Sequence, residues 1–153
     1  MLPLMAGGAR HLQLYDNQGC FACGSANPSG LGMKFSLDSN EELRSEFTAE
    51  KRFQGFDGIL HGGIVALVLD EMMVNLTWIK GYHAVSAEFH VRLKKAVRTG
   101  QKITLRSRIV CEEKKLIKTE AQAFLPNGTL AAEARAVCVK IHKPQKAMYT
   151  RMQ

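Results

Sequence analysis

Hydrophobic positions are densest in the middle of the chain, at residues 64–79, where only Asp70 and Glu71 are charged. The stretch contains neither glycine nor proline, and its apolar residues are not confined to one face. This pattern predicts a helix that is apolar on nearly every side and must be covered by other elements. At about sixteen residues with two central acids, it is too short and too charged for a membrane span. We therefore predict a central buried helix and no membrane insertion.

Alternating apolar and polar positions flank this helix on both sides. Residues 31–37 and 43–49 alternate around a polar turn, which predicts a β-hairpin. Four more strands are predicted after the helix, at residues 83–97, 102–111, 116–125 and 130–141. The last strand is rich in alanine, which would let the sheet approach the helix closely. The predicted fold class is α+β, with an antiparallel sheet wrapped around one long central helix.

A chain of 153 residues is expected to form one domain. We assign residues 1–19 to an N-terminal segment with a possible short helix at 11–16, residues 20–141 to the domain, and residues 142–153 to a basic tail. The N-terminal segment lacks the basic start and sustained apolar core of a signal peptide. We therefore expect a cytoplasmic protein whose four cysteines are reduced.

The net charge of +7 favours an anionic partner but does not identify it. Nucleic acid, anionic lipid and a small molecule that carries phosphates all fit this charge. The sequence has no run of more than two consecutive Lys or Arg residues and no basic stripe interleaved with aromatics. Nucleic-acid binding is therefore disfavoured.

Cys20 and Cys23 form a CxxC motif in a loop dense in turn-forming residues, 20–30. A structural zinc site needs four ligands, and neither a second CxxC nor a histidine pair follows. The other cysteines, Cys111 and Cys138, fall in predicted strands. We therefore expect a packed loop with free thiols, and no metal.

The start of the central helix carries candidate chemistry. Gly62 and Gly63 follow His61, and residues without a Cβ let the backbone approach a ligand closely. Unpaired N–H groups and a partial positive charge at a helix start suit an oxyanion or a polarised carbonyl oxygen. Asp70 lies two turns further on, where a carboxylate needs a partner. A purely structural Asp70 remains an alternative, and we expect Glu71 in a salt bridge or a subunit contact.

Several segments of the sequence together resemble a known family. The HGG at 61–63 with an acid nine residues after its histidine, the loop at 20–31, the strand at 85–88 and the segment at 127–134 resemble the hotdog-fold acyl-CoA thioesterases. The resemblance is to the phenylacetate-pathway thioesterase branch of the 4-hydroxybenzoyl-CoA thioesterase superfamily. It implies a hotdog fold, a homodimer or homotetramer, and hydrolysis of an acyl-CoA to a free acid and coenzyme A. No cofactor is implied, since coenzyme A is part of the substrate.

The resemblance also implies roles for particular residues. The thioester carbonyl would face the backbone N–H of Gly62, with Asp70 as nucleophile or general base. Ser86 would help position the attacking water, and His61 would orient the loop or the thioester. Some relatives carry an asparagine six residues before the HGG histidine, where this chain has a glycine preceded by Gln54, so that either Gln54 substitutes or Asp70 acts alone.

Coenzyme A carries several phosphate charges, so basic residues are expected near the mouth of the site. The candidate substrate-binding residues are Gly63, Gln54, Phe56, Arg92, Lys94, Arg98 and Lys114. Two functions stay open at this point, an acyl-CoA thioesterase and a non-catalytic acyl-CoA-binding or regulatory hotdog protein. A long strand at 83–97 would leave pairing capacity for a second copy of the chain.

Overall fold

Six antiparallel strands form one sheet around a long helix in the computed structural model, which describes residues 18–141. The elements are β1 (Ser36–Leu37), β2 (Leu43–Thr48), α1 (Gly62–Ile79), β3 (Ala84–Leu93), β4 (Lys102–Glu112), β5 (Leu116–Phe124) and β6 (Leu130–Lys140). In the sheet the strand order is β1-β2-β4-β5-β6-β3. The helix predicted at residues 11–16 and the tail at 142–153 lie outside the described residues.

The central helix is confirmed and lies against strands β2 to β6. Leu69, Met72 and Leu76 are fully buried, as expected for a helix covered on several sides. The helix has 18 residues, two more than predicted, and by length and composition alone it is long and apolar enough to cross a membrane, contrary to the prediction. Its packing inside the curve of the sheet accounts for the same apolar character. The helix ends where the backbone N–H of Lys80 bonds to the carbonyl of Leu76 and Gly81 follows with φ 86°.

The predicted alternation in the strands is also confirmed. In β4, Ile103 and Leu105 are buried towards the helix, while Thr104 faces solvent. Small side chains dominate the same face of β5 and β6, where Ala121 pairs with Ala134 across the strands. Short side chains let the backbone of the sheet approach a helix that carries leucines and methionines on every side.

Two strand boundaries differ from the prediction because the backbone bonds elsewhere. Residues 31–35 do not pair with β2, since the N–H of Met33 donates to the carbonyl of Ala22 in the cysteine loop. Strand β3 ends at Leu93 rather than at residue 97, because the N–H groups of Lys94 and Lys95 both donate to the carbonyl of Ala131. A 3-10 turn at Lys51–Phe53 was not predicted.

We predict that Ala134→Leu destabilises the protein, because Ala134 is 3% exposed and faces the helix. Forcing three extra carbon atoms into a packed core typically costs about 1–3 kcal/mol. Guanidinium unfolding should show a lower midpoint with an unchanged slope. Arg135→Leu is the matched control, since it places the same side chain on the exposed face of the same strand. Equal losses in both variants would contradict the proposed packing.

Candidate active site

A cleft of about 740 Å³ opens at the N-terminal end of α1. One wall is the loop that leads into the helix, and the other is the end of β3 with the segment after it. Its lining includes Gln54, Phe56, His61, Gly62, Leu93 and Lys94. Several residues that the sequence predicted for the site therefore line one cleft at the start of the helix.

His61 is the N-cap of α1. Its Nδ1 accepts a hydrogen bond from the Gly63 N–H at 2.8 Å, and its carbonyl accepts from the N–H of Ile64 at 2.9 Å. Within residues 18–141, the Gly62 N–H has no hydrogen-bond acceptor. The Gly63 donor, predicted to contact substrate, is occupied by His61. The helix start thus presents the Gly62 N–H as an open donor at its positive end.

Close approach explains the glycines around this donor. A Cβ on Gly62 would lie 2.8 Å from Leu93 Cδ1, across the cleft. A Cβ on Gly55 would lie 3.2 Å from the Cα of His61, which leaves little space for the asparagine found in some relatives. The preceding Gln54 does not fill that role freely, because its Oε1 accepts a hydrogen bond from the Gly58 N–H at 3.2 Å. Phe56 lies at the rim and is 87% exposed.

Asp70 and Ser86, predicted to share a site, are in direct contact. The Ser86 hydroxyl donates to Asp70 Oδ1 at 2.6 Å, and both residues are half-buried. Cys138 pairs with Ser86 on the neighbouring strand, and burial followed by the negative charge of Asp70 raises the pKa of its thiol. The carboxylate is thereby fixed by one short hydrogen bond between the helix and the edge strand.

Asp70 and Gly62 lie far apart within one protomer. Eight residues of helix separate them, which corresponds to about 12 Å along the axis. Gly62 lies beside Leu93 at the end of β3, whereas Asp70 bonds to Ser86 near its beginning. A carbonyl held at Gly62 is therefore out of reach of Asp70 of the same chain.

The predicted basic residues are not gathered in one place. Lys94 lines the cleft and forms an ion pair with Glu133 at 3.0 Å. Arg92 and Arg98 are exposed near the same end of the sheet but do not line the cleft. Lys114 lies in the turn between β4 and β5, at the opposite end of the protomer. Its predicted substrate contact is therefore not available within one chain.

Glu71, expected in a salt bridge or a subunit contact, forms no salt bridge within residues 18–141. Its Oε1 instead accepts from the Cys20 thiol, at 3.7 Å between Sγ and oxygen, and from Asn75 Nδ2 at 2.7 Å. Cys23 also interacts with Glu71 and Cys20. The sequence signal for this cluster was limited to the CxxC, because 51 residues separate Cys20 from Glu71.

The family model of the thioesterase superfamily matches residues 57–132, which include the helix start, α1 and strands β3 to β5. Residues 57–132 belong to the thioesterase superfamily, and the sheet wrapped around one helix is a hotdog fold. A proposed esterase from Saccharolobus solfataricus is 27% identical over 106 residues, which cover 68% of this chain and 70% of that protein.

Solved structures agree with this fold. The PaaI protein from the phenylacetic acid degradation operon of E. coli is 16% identical, with a TM-score of 0.70, over 78% of this chain and 84% of that chain. A Streptococcus mutans protein bound to acetyl-CoA is 15% identical, with a TM-score of 0.63, over 68% of this chain and 84% of that chain. At these identities, the similarity establishes the fold.

We predict that His61→Ala destabilises the protein while His61→Asn largely preserves its stability. Alanine removes the acceptor for the Gly63 N–H, and loss of an N-cap typically costs about 0.5–2 kcal/mol. Asparagine is itself a favoured N-cap and restores an acceptor. Thermal unfolding of the three proteins, side by side, tests this. Equal stability of the alanine and asparagine variants would show that the cap contributes nothing.

Proposed function

We propose that the protein is an acyl-CoA thioesterase that hydrolyses its substrate to a free acid and coenzyme A. The open Gly62 N–H, at the positive end of α1 and inside a cleft, carries this proposal. A donor fixed in this position stabilises the oxyanion that forms when a thioester carbonyl is attacked. Membership of the thioesterase superfamily supports the same reaction class.

Asp70 is the proposed general base or nucleophile. As a base, it takes a proton from water while the water oxygen bonds to the carbonyl carbon, and the carbon–sulfur bond then breaks. The departing thiolate recovers the proton from the Asp70 carboxyl group. As a nucleophile, Asp70 would attack the carbonyl carbon and expel the coenzyme A thiolate, and water would then hydrolyse the resulting mixed anhydride. Ser86, which donates to Oδ1, leaves the second carboxylate oxygen for this chemistry.

A homodimer would bring these groups together. β3 is an edge strand, and its helix-facing side carries Phe89 and Leu93, which are 40% and 58% exposed. Antiparallel pairing of two β3 strands about a two-fold axis at His90 places the helix-facing Phe89 of one copy opposite Val91 of the other. The bulge that follows Ser86 in one copy then lies beside Leu93 of the other. Asp70 of one chain then approaches Gly62 of the second. A tetramer built from two such dimers is compatible with the same sites.

Coenzyme A is the proposed carrier of the acyl group. Lys94 and Lys95 line the cleft and can face its phosphates. In the proposed dimer, Lys114 of the second copy reaches the same end. Similar folds bound to acetyl-CoA or to coenzyme A support the choice of ligand.

A non-catalytic acyl-CoA-binding protein is the second candidate, because Gly55 and the engaged side chain of Gln54 replace the asparagine of some relatives. Purified protein, assayed against aliphatic and aromatic acyl-CoAs with a thiol reagent, separates the two. Release of coenzyme A with turnover supports the thioesterase. Saturable binding across the panel without release would overturn it.

We predict that Asp70→Asn lowers kcat by about 10²–10⁴ without loss of folding or assembly, as expected when a general base is removed. Asparagine is nearly isosteric and can still accept from Ser86. Ser86→Ala is the companion variant, and a smaller fall in kcat is expected because it leaves the carboxylate in place. Turnover and melting temperature are measured on the same preparation. Near-normal turnover in a destabilised Asp70→Asn would assign the acid a structural role.

We predict that two inactive variants complement each other when they are co-expressed. In a mixed dimer of Asp70→Asn and Gly62→Val, one of the two sites takes an intact glycine from one chain and an intact acid from the other. Random mixing should restore about a quarter of the wild-type activity. Each variant expressed alone is the control. No recovery in an isolated mixed dimer would show that Asp70 and Gly62 do not act across the interface.

A further inference from the structure

A second cluster of chemically active side chains lies on a different side of α1 from the Asp70–Ser86 pair. The thiol sulfurs of Cys20 and Cys23 and a carboxylate oxygen of Glu71 all lie within 4.8 Å of one another. All three residues are half-buried. We propose that these three residues bind a zinc-type divalent metal ion that ties the loop at 18–33 to the middle of the helix, with water in the fourth position.

The separation of the donor atoms fits a common tetrahedral ion. Zinc–thiolate and zinc–carboxylate bonds of about 2.3 and 2.1 Å at a tetrahedral angle place sulfur and oxygen about 3.6 Å apart. Cys20 Sγ and Glu71 Oε1 are 3.7 Å apart. An ion at the centre of the cluster therefore needs little movement of its ligands. Two soft thiolates select zinc-like ions over Mg²⁺ or Ca²⁺.

The loop is built to hold its two cysteines in a tight turn. The Gly24 N–H donates to the Cys20 carbonyl at 2.9 Å. A Cβ at Gly24 would come within 2.5 Å of the amide nitrogen of Cys20, so that only glycine fits. The turn is anchored further by the hydrogen bond from the Met33 N–H to the carbonyl of Ala22. This geometry presents both thiols to the same face of α1.

The carboxylate of Glu71 has no cationic side chain beside it in the described part of the chain. Within residues 18–141, Glu71 forms no ion pair with Lys, Arg or His, although it is half-buried. A divalent ion bound between the three donor atoms would stabilise both thiolates and neutralise the carboxylate.

Asn75 holds the Glu71 carboxylate in place. It is 2% exposed, one helical turn after Glu71, and its Nδ2 donates to Glu71 Oε1. Its Oδ1 is buried and has no hydrogen-bond partner in the described part of the chain. The Asn75 amide also donates through Nδ2 to the backbone carbonyl of Glu71 at 2.9 Å, so that its orientation is fixed. It therefore orients the Glu71 carboxylate as an outer contact does in metal sites.

Cobalt(II) titration of the full-length protein, stripped with a chelator and kept in a non-thiol reductant, tests the site. We expect one Co²⁺ per chain, a thiolate-to-cobalt charge-transfer band in the near ultraviolet, and tetrahedral d–d bands in the visible. Zn²⁺ should displace the cobalt and raise the melting temperature. Affinity should fall as the pH is lowered, because both thiols must lose protons.

Variants assign the ligands. Cys20→Ser and Cys23→Ser should each weaken the charge-transfer band, and the double variant should abolish it. Glu71→Gln should keep the band but weaken cobalt binding more than about tenfold. Cys111→Ser is the matched control, since Cys111 is an exposed cysteine on β4 and should change nothing.

A wild-type protein without the charge-transfer band would overturn the proposal, as would a band that survives in the Cys20→Ser/Cys23→Ser protein. Circular dichroism in chelator shows whether each variant folds like the wild type, so that lost binding is not mistaken for lost structure. None of these measurements depends on thioesterase activity. The metal site and the proposed reaction can therefore fail independently of each other.

Discussion

Burial of α1 is the constraint on which the rest of the structure depends. A helix that is apolar on nearly all sides is covered only if the sheet curves around it. Helix residues such as Val68 and Met73 are fully buried. Curvature in turn requires small side chains on the concave face, which is where the alanines of β5 and β6 lie. The loop at 18–33 contributes Ala22 and Met33 to the same core and so completes the cover.

Burial of the helix also means that its two acidic residues need partners inside the protein. Asp70 and Glu71 are consecutive, so a helix directs them to different sides, and neither can be solvated fully. Asp70 meets the hydroxyl of Ser86 on the edge strand. Glu71 meets Cys20, Cys23 and Asn75 under the cysteine loop. Both of the sites that we consider functional therefore arise from carboxylates that an apolar helix has to accommodate.

The sequence predicted the elements that depend on local pattern. The helix at 64–79 and the alternation in β4 follow from periodicity alone, and the structure confirms them. The start of β1 and the end of β3 were misplaced, because they depend on which distant carbonyl accepts a given N–H. The pairing of Asp70 with Ser86 came from the family resemblance. Contact between Cys20 and Glu71 has no local signal, since it is made only when the loop closes over the helix.

In the proposed mechanism, the geometry of α1 leaves a single chain without a complete site. The open donor is available only at the first turn, because every later N–H is used within the helix. The acid lies two turns further on, where it can be held by a neighbouring strand. The two groups are thus separated by the geometry of the helix itself, and no side-chain rearrangement can join them. A symmetric dimer through the edge strand β3 would bring the two groups together. Antiparallel pairing places the beginning of β3 in one copy beside the end of β3 in the other.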